Sequence, residues 1–500
     1  MQKKNFSVID SVFSAIALVL VVSLFLKAIM DMDTNYDVGW YHLPFAARIW
    51  RIVPEELFTS GAKFEYRYDG FPLLAHFLQG FLWKITQRVQ AANLVCYFSV
   101  IIYLLFLKNY LKIPLYISTI AIFTIPAVIT HAPTGFVDLP GNIGASVLMM
   151  MVYSLFKQSQ LPNKKELLLA FLGAATAANI KPQLQPVVLV LFLVLFIRLA
   201  YLYFRYTKAA ERRLWVTIPL SILASLIIFA TPTKNVLLYG NPFYPIKIEV
   251  AGIVLNHEMT PETYSEGNRP QKWFRSIFEI NTPEWSADQS NRTENPDYLD
   301  RAGGFFGAYV VFNLLLLLIQ AIEEQIDNKD RQANKNKEAT TALVTILLVS
   351  LIPANFPQSH ELRYLMFWMI TLVSLNLYLT FSKLRGIKYW FNPKYLKLAY
   401  LLFFIVMCIK IQYFYLKPDF RSLQVYLDRT VDKKILNQIA PGEKNCLISR
   451  HGLDLTDAVS TQHVFYYNSY FHPEIKPEYS IKVVDDIKKC GNMNIVPKTP

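Results

Sequence analysis

The chain has 500 residues, of which 53% are hydrophobic and only 17% charged, against roughly 25% charged in an average soluble protein. Its mean hydropathy is positive, at +0.27, and its apolar residues lie in unbroken runs rather than at the spacing of a half-buried helix or strand. That excludes a soluble enzyme built on one core. The formal net charge of +13 does not point to nucleic acid either, because much of the basic charge sits in short segments between apolar runs, as membrane topology requires.

Taken in order, the apolar runs fall at 8–30, 91–107, 113–131, 139–156, 166–181, 183–203, 214–231, 303–322, 339–356, 362–381 and 397–416. Most approach the ~20 residues that cross a bilayer, so about eleven spans are expected. Lys3 and Lys4 precede the first run. It is long for a signal-peptide core and lacks a small-residue cleavage site, so it reads as a retained helix. The connectors then carry Lys108 and Lys112; Lys157, Lys164 and Lys165; Arg205, Lys208, Arg212 and Arg213; the charge-dense 323–338; and Lys383, Arg385, Lys388, Lys394 and Lys397. With the N-terminus cytoplasmic, every one of these loops lands on the cytoplasmic side.

That register holds only if Gly70 to Gln87 does not cross. The segment is apolar but contains His76, Gln79 and Lys84, and it reads as a helix in the outer interface with Phe81 and Trp83 at headgroup depth. The expected fold is an all-α polytopic membrane protein. Its transmembrane domain covers 1–416, with outer loops at 31–90 (holding juxtamembrane helices) and 232–302. The tail, 417–500, has ordinary soluble composition, with a strand expected at Asn445–Ser449 and alternation near Val464–Tyr470, which suits a small extracytoplasmic α/β domain. Cys446 and Cys490 lie in that tail and pair if it faces an oxidising compartment; a reduced state is equally open. Cys96 and Cys408 fall inside apolar runs.

This topology collects polar residues on one face. Asp31, Asp33 and Asp37 follow the first run, and Asp69 precedes GFPLL. Asp138 stands in VDLPGN, Lys181 in NIKPQ, and His360, Glu361 and Arg363 in HELRY. Carboxylates facing outward beside separate cations suit one chemistry. An acceptor hydroxyl loses its proton to a positioned Asp, and Lys or Arg stabilises the phosphate that leaves. A sugar on a polyprenyl phosphate would bring both needs to the membrane surface.

These residues resemble the GT-C superfamily of membrane glycosyltransferases, especially its aminoarabinose-transferase and protein-O-mannosyltransferase branch. DVGWY at 37–41 is similar to that family's Asp-x-x-x-Tyr in the first outer loop, and VDLP at 137–140 to its second outer-loop Asp. DGFPLL at 69–74 resembles its juxtamembrane helix start, NIKPQ keeps only the Lys of its Thr-Lys-Gly turn, and RY at 363–364 resembles a late outer-loop feature. The match covers about the first two hundred residues and then thins. It implies an inverting single displacement from a polyprenyl-phosphate sugar to an extracytoplasmic glycolipid, polysaccharide or protein. Asp37 would be the base, with Asp138 in support, and Lys181 and Arg363 would hold the lipid phosphate. Asp33, Tyr41, His42, Asp69 and Glu361 would complete the substrate site. Some family members bind a divalent ion, for which Asp37, Asp138 and Glu361 would offer Mg or Mn its oxygens. The membrane would be a bacterial inner membrane.

Plainer readings stand beside these. Asp31 and Asp33 suit a helix end, Asp138 an N-cap with Pro140 in the first turn, and Lys181 a snorkelling cation. Trp40, Tyr41 and His42 suit an interfacial belt. His360, Glu361 and Arg363 suit a local ion pair, and YGNPFYP a tight turn. Three other functions are open: a transporter or lipid flippase, an O-antigen-ligase-like transferase, and a non-catalytic subunit of an envelope assembly complex.

Overall fold

The structure is a computed structural model, and it describes residues 8–33, 35, 37–52, 62–207, 214–260, 267–280, 305–330, 337–383, 393–410, 416–422, 438, 440, 442–448, 480–484 and 487–496. It is mainly helical. The helices are α1 (Val8–Met30), α2 (Leu43–Ile49), α3 (Ala62–Gly70), α4 (Leu74–Thr86), α5 (Leu94–Asn109), α6 (Leu115–Phe123), α7 (Pro126–His131), α8 (Asp138–Lys157) and α9 (Lys164–Ala178). They continue with α10 (Gln185–Tyr206), α11 (Leu214–Ile228), α12 (Ala230–Tyr239), α13 (Arg269–Ile277), α14 (Phe305–Asp330), α15 (Glu338–Ala354), α16 (Met366–Tyr378) and α17 (Pro393–Lys410).

Among the described residues, six stretches are long and apolar enough to cross a membrane: Ile9–Met30, Val89–Asn109, Asp138–Lys157, Pro182–Tyr206, Phe305–Ile326 and Leu362–Phe381, with a seventh if α11 and α12 count as one bent span. The runs at 113–131, 166–181, 339–356 and 397–416 are largely helical too, in shorter or interrupted pieces. The first breaks between Phe123 and Pro126, where proline opens a new helix because the first turn needs no N–H from it. α9 begins on a capping box: Asn163 accepts from the Glu166 amide at 3.0 Å, and the Glu166 carboxylate accepts from the Asn163 amide at 2.9 Å. α8 and α9 pack through Gly144 and Gly173, where an added Cβ would lie 2.9 Å from the partner's backbone. Small residues let two membrane helices approach this closely.

Helix direction sorts the charges. α8 runs from Asp138 to Lys157, and Lys157 meets Glu338 at the start of α15 at 3.3 Å and the hydroxyl of Tyr378 at the end of α16. At the same far end Lys397 pairs with Asp10 at 2.6 Å. The other end gathers the close of α1, the starts of α4 and α8, the turn between α9 and α10, and residues 355–366. Residues 416–422 return to it as well. Lys27 Nζ is 2.9 Å from the Asp31 carboxylate, 3.5 Å from that of Asp419 and 2.9 Å from the Lys417 carbonyl, while the Met32 amide donates to the Arg421 carbonyl at 2.9 Å. The tail therefore leaves the bundle at the end that carries the acidic first loop.

α4 is too short to cross: 13 residues reach about 20 Å, against a hydrocarbon core of ~30 Å. Its outer face exposes Phe77, Leu78, Phe81 and Ile85, and its inner face buries His76, Gln79, Gly80 and Trp83. Trp83, expected beside Phe81 at headgroup depth, packs inward, with only 7% of the residue exposed. Gly80 permits this packing, because a Cβ there would stand 2.3 Å from the Ala46 carbonyl of α2.

Small sheets complete the described fold. β1 (Glu249–Val250) and β2 (Ile253–Val254) form a hairpin, and β3 (Lys444–Ile448), β4 (Ser480–Val484) and β5 (Asn494–Val496) form a parallel sheet in the order β4-β3-β5. β3 is the strand expected at Asn445–Ser449, one residue earlier. Cys446, on β3, is joined to Cys490 as a disulfide. The alternation at Val464–Tyr470 lies outside the described residues.

Candidate active site

Asp37 opens a π-helical turn, Val38–His42, that leads into α2, and its carboxylate makes no cap for that turn. Single π turns are frequent at functional sites because they re-aim side chains. Here Asp37 Oδ2 accepts from Arg363 at 3.1 Å, across 326 residues of sequence. Its side chain stays 23% exposed. Arg363 also donates to the Tyr364 hydroxyl at 2.9 Å, and its Nε lies 3.6 Å from Glu361.

Asp138 is at the start of α8 but does not cap it; Val137 occupies the cap position. The N-cap reading is corrected. Its Oδ1 instead stands 3.0 Å from Lys181 Nζ, in a pair whose side chains are 0% and 7% exposed. Lys181 sits 5.1 Å from the centre of the Tyr364 ring, and the Arg363 guanidinium lies 4.8 Å from the same ring. Tyr364 thus separates two cations, each opposed by its own aspartate. Asn142, one turn into α8, ties the halves together: its amide donates to the Arg363 carbonyl at 3.2 Å and its oxygen accepts from the Phe367 amide at 2.9 Å.

Glu361 is buried beside Arg363, and burial reinforced by the Asp138 and Asp37 carboxylates pushes its pKa up to about 7, despite the opposing guanidinium. The folded form therefore binds a proton between the ordinary carboxylate range and neutrality, where the unfolded chain has lost it. Stability falls as pH rises through that window. Glu361→Gln is expected to raise the unfolding temperature at pH 8, with a gain that shrinks toward pH 5; thermal unfolding in detergent at both pH values checks it.

The other expected residues take supporting places. Asp33 is buried and accepts from the Gly135 amide at 2.7 Å and from Asn35 at 2.6 Å and 2.9 Å; burial raises its pKa. The Gly135 carbonyl in turn accepts from Gln79 at 2.6 Å. A Cβ on Gly135 would be 2.7 Å from Cγ1 of Val38, the residue after Asp37. Gly135→Ala is accordingly expected to cost about 1–3 kcal/mol by overpacking, seen as a lower unfolding temperature. Asp31 holds Lys27 and the returning tail, as above. Tyr41 is buried with the Arg67 guanidinium 5.4 Å from its ring centre. His42 Nδ1 meets His76 Nε2 at 2.9 Å. Burial and nearby cations keep both rings neutral, His42 well below its ordinary pKa and His76 down to about 3.

Asp69 is not brought to this cluster. It is exposed, and its carbonyl accepts from Lys234. YGNPFYP is a turn organised by Asn241, which accepts from the Phe243 amide at 2.9 Å and donates to the Ile246 and Asn256 carbonyls. Arg67, His76 and Asn142 were not singled out as site residues from the sequence. Asn142 carried a signal, being an amide one turn into an apolar helix; the partners of Arg67 and His76 are too distant along the chain for any local pattern to mark them.

Each of the two aspartates faces a cation, Asp37 facing Arg363 and Asp138 facing Lys181. Among the described residues no three His, Cys, Asp or Glu side chains converge as a metal site. In comparisons with known proteins, no family model, no curated protein and no solved structure matches the chain.

Proposed function

We propose that this chain is a GT-C-like membrane glycosyltransferase that moves a sugar from a polyprenyl phosphate to an extracytoplasmic glycolipid, polysaccharide or protein. The observation that supports it most is the pairing of two cations with two aspartates around Tyr364 at one end of the bundle. Asp37 is the reachable acid of the set, with 23% of its side chain exposed against 0% for Asp138 and 9% for Glu361.

In the proposed reaction Arg363 turns from Asp37 to the donor phosphate, to which a guanidinium offers a planar pair of N–H donors. The freed Asp37 carboxylate takes the proton of the acceptor hydroxyl. The hydroxyl oxygen then bonds the anomeric carbon as the carbon–phosphate-oxygen bond breaks from the opposite side. Arg363 and Lys181 stabilise the charge left on the phosphate. Asp138, sealed from solvent, keeps Lys181 in place rather than touching substrate.

The same reading takes about eleven spans for the whole chain, adding the shorter helices to the long ones. It takes residues 417–500 as an extracytoplasmic domain and the membrane as a bacterial inner membrane. The Cys446–Cys490 disulfide supports that side, since such bonds persist in oxidising compartments.

The test is a reconstituted assay. Vesicles holding the full chain are supplied with polyprenyl-phosphate sugars and acceptor-bearing envelope lipid, and release of polyprenyl phosphate is followed. Donor consumption is the expected result; movement of the lipid between leaflets with no sugar released would instead favour a flippase. Added EDTA is expected to leave the rate unchanged, because Arg363 and Lys181 supply the positive charge. A rate that collapses with chelator and returns with Mg or Mn would overturn the metal-free version.

A further inference from the structure

A band of exposed apolar side chains runs from a membrane helix into the loop that follows it. α11 shows Trp215, Ile218, Leu220, Leu223 and Leu226 on its surface, as a lipid-facing helix does. Its 15 residues rise about 22 Å, and the chain then bends by 75° into α12. α12 therefore lies steeply across the axis of α11. It nevertheless exposes Val236, Leu237 and Leu238, at 50%, 79% and 65%.

The band continues past the turn. Gly240, at φ +69, ends α12 in the left-handed conformation, and Tyr239 stacks on Tyr244 with ring centres 3.9 Å apart. The hairpin follows, turning through Ala251 and Gly252, both with positive φ, the conformation that a tight two-residue hairpin loop needs. Val250 is registered opposite Ile253, so the two share one face, and they are 57% and 66% exposed. A two-stranded hairpin is marginal alone in water, and an aliphatic pair at its tip adds no stability there. Tyr239, Lys234 and Lys247 border the band, the residue types that settle at headgroup depth.

We propose that α12 and the hairpin form an interfacial platform, with Leu237, Leu238, Val250 and Ile253 immersed at the boundary between headgroups and acyl chains. The partner is the bilayer surface, and the platform continues the lipid-facing side of α11. It is tied to the end of α3: Asn235 donates to the Gly70 carbonyl at 2.8 Å and Lys234 to that of Asp69. The proposal does not depend on the reaction assigned above.

Spin labels on introduced cysteines test it in the full chain, in a Cys408→Ser background whose remaining free thiol, Cys96, is fully buried, after reconstitution into phosphatidylcholine–phosphatidylglycerol vesicles. Ile253→Cys and Leu237→Cys are the probes, and Glu258→Cys is the reference for water. Labels at 253 and 237 are expected to collide severalfold more with oxygen, relative to a water-soluble nickel chelate, than the label at 258. Nickel access at 253 and 237 equal to that at 258 would place the platform in water and overturn the proposal. Low access to both reagents would show a protein contact and overturn it equally. Both probes replace side chains already more than half exposed, so a folded protein is expected from each.

Discussion

Asp37→Asn is expected to lower transfer by roughly 10²–10⁴-fold, the usual contribution of a general base, while expression and membrane insertion stay normal. The substitution keeps the shape of the side chain and an oxygen for Arg363, now 3.1 Å away, but removes the negative charge that accepts a proton. Loss of the Asp37 charge should cost modest stability, because Glu361 stays 3.6 Å from the Arg363 guanidinium and the asparagine oxygen can still accept from it. The two readouts separate the roles. Initial transfer rates from a polyprenyl-phosphate sugar should fall while the unfolding temperature barely moves. Transfer at the wild-type rate would remove Asp37 from the mechanism.

Lys181→Met should do the reverse, striking the fold first. It leaves the Asp138 carboxylate, 0% exposed and 3.0 Å from the lost ammonium, without a counter-charge. Removing one member of a buried ion pair costs about 3–5 kcal/mol. Asp138→Asn combined with Lys181→Met removes both charges and should recover most of that loss, since the charge left behind is the main penalty. Unfolding in detergent for the two single variants and the double supplies the cycle. Recovery of stability without recovery of transfer would be expected if Lys181 also stabilises the leaving phosphate. A single variant as stable as wild type would show that Asp138 is neutral or wet.

Much of the fold was legible because lipid imposes a one-dimensional rule. A helix that crosses must be apolar for its whole length, so α1, α5, α8, α10, α14 and α16 stand out as runs in the sequence, and the connectors declare themselves by Lys and Arg. The polar His76, Gln79 and Lys84, with the charge register of the later connectors, marked Gly70 to Gln87 as a non-crossing segment. Its orientation was less readable. Phe81 and Trp83 look alike on a hydropathy scale, yet one faces outward and the other packs inside, a choice made by how closely Gly80 lets α4 approach α2.

The site divides in the same way. That Asp37, Asp138, Lys181 and Arg363 collect at one end follows from counting helices, and the structure brings all four together there. Which acid meets which cation does not follow. Asp31 and Asp33 follow the first run as Asp37 does, but the first is held by Lys27 and the Asp419 amide and the second by the Gly135 peptide. Asp69 stays apart at the 232–260 loop.

What the amino acids settled unaided is the solvent: apolar runs of that length have no stable home but lipid. What tertiary packing decided is charge pairing. Aspartates of equal intrinsic chemistry became a strut, a latch, a buried counter-ion and a reachable carboxylate according to which distant backbone or cation each one met. Hydropathy is additive along the chain and can be read from it, whereas an electrostatic contact depends on a distance between residues that only the folded bundle sets.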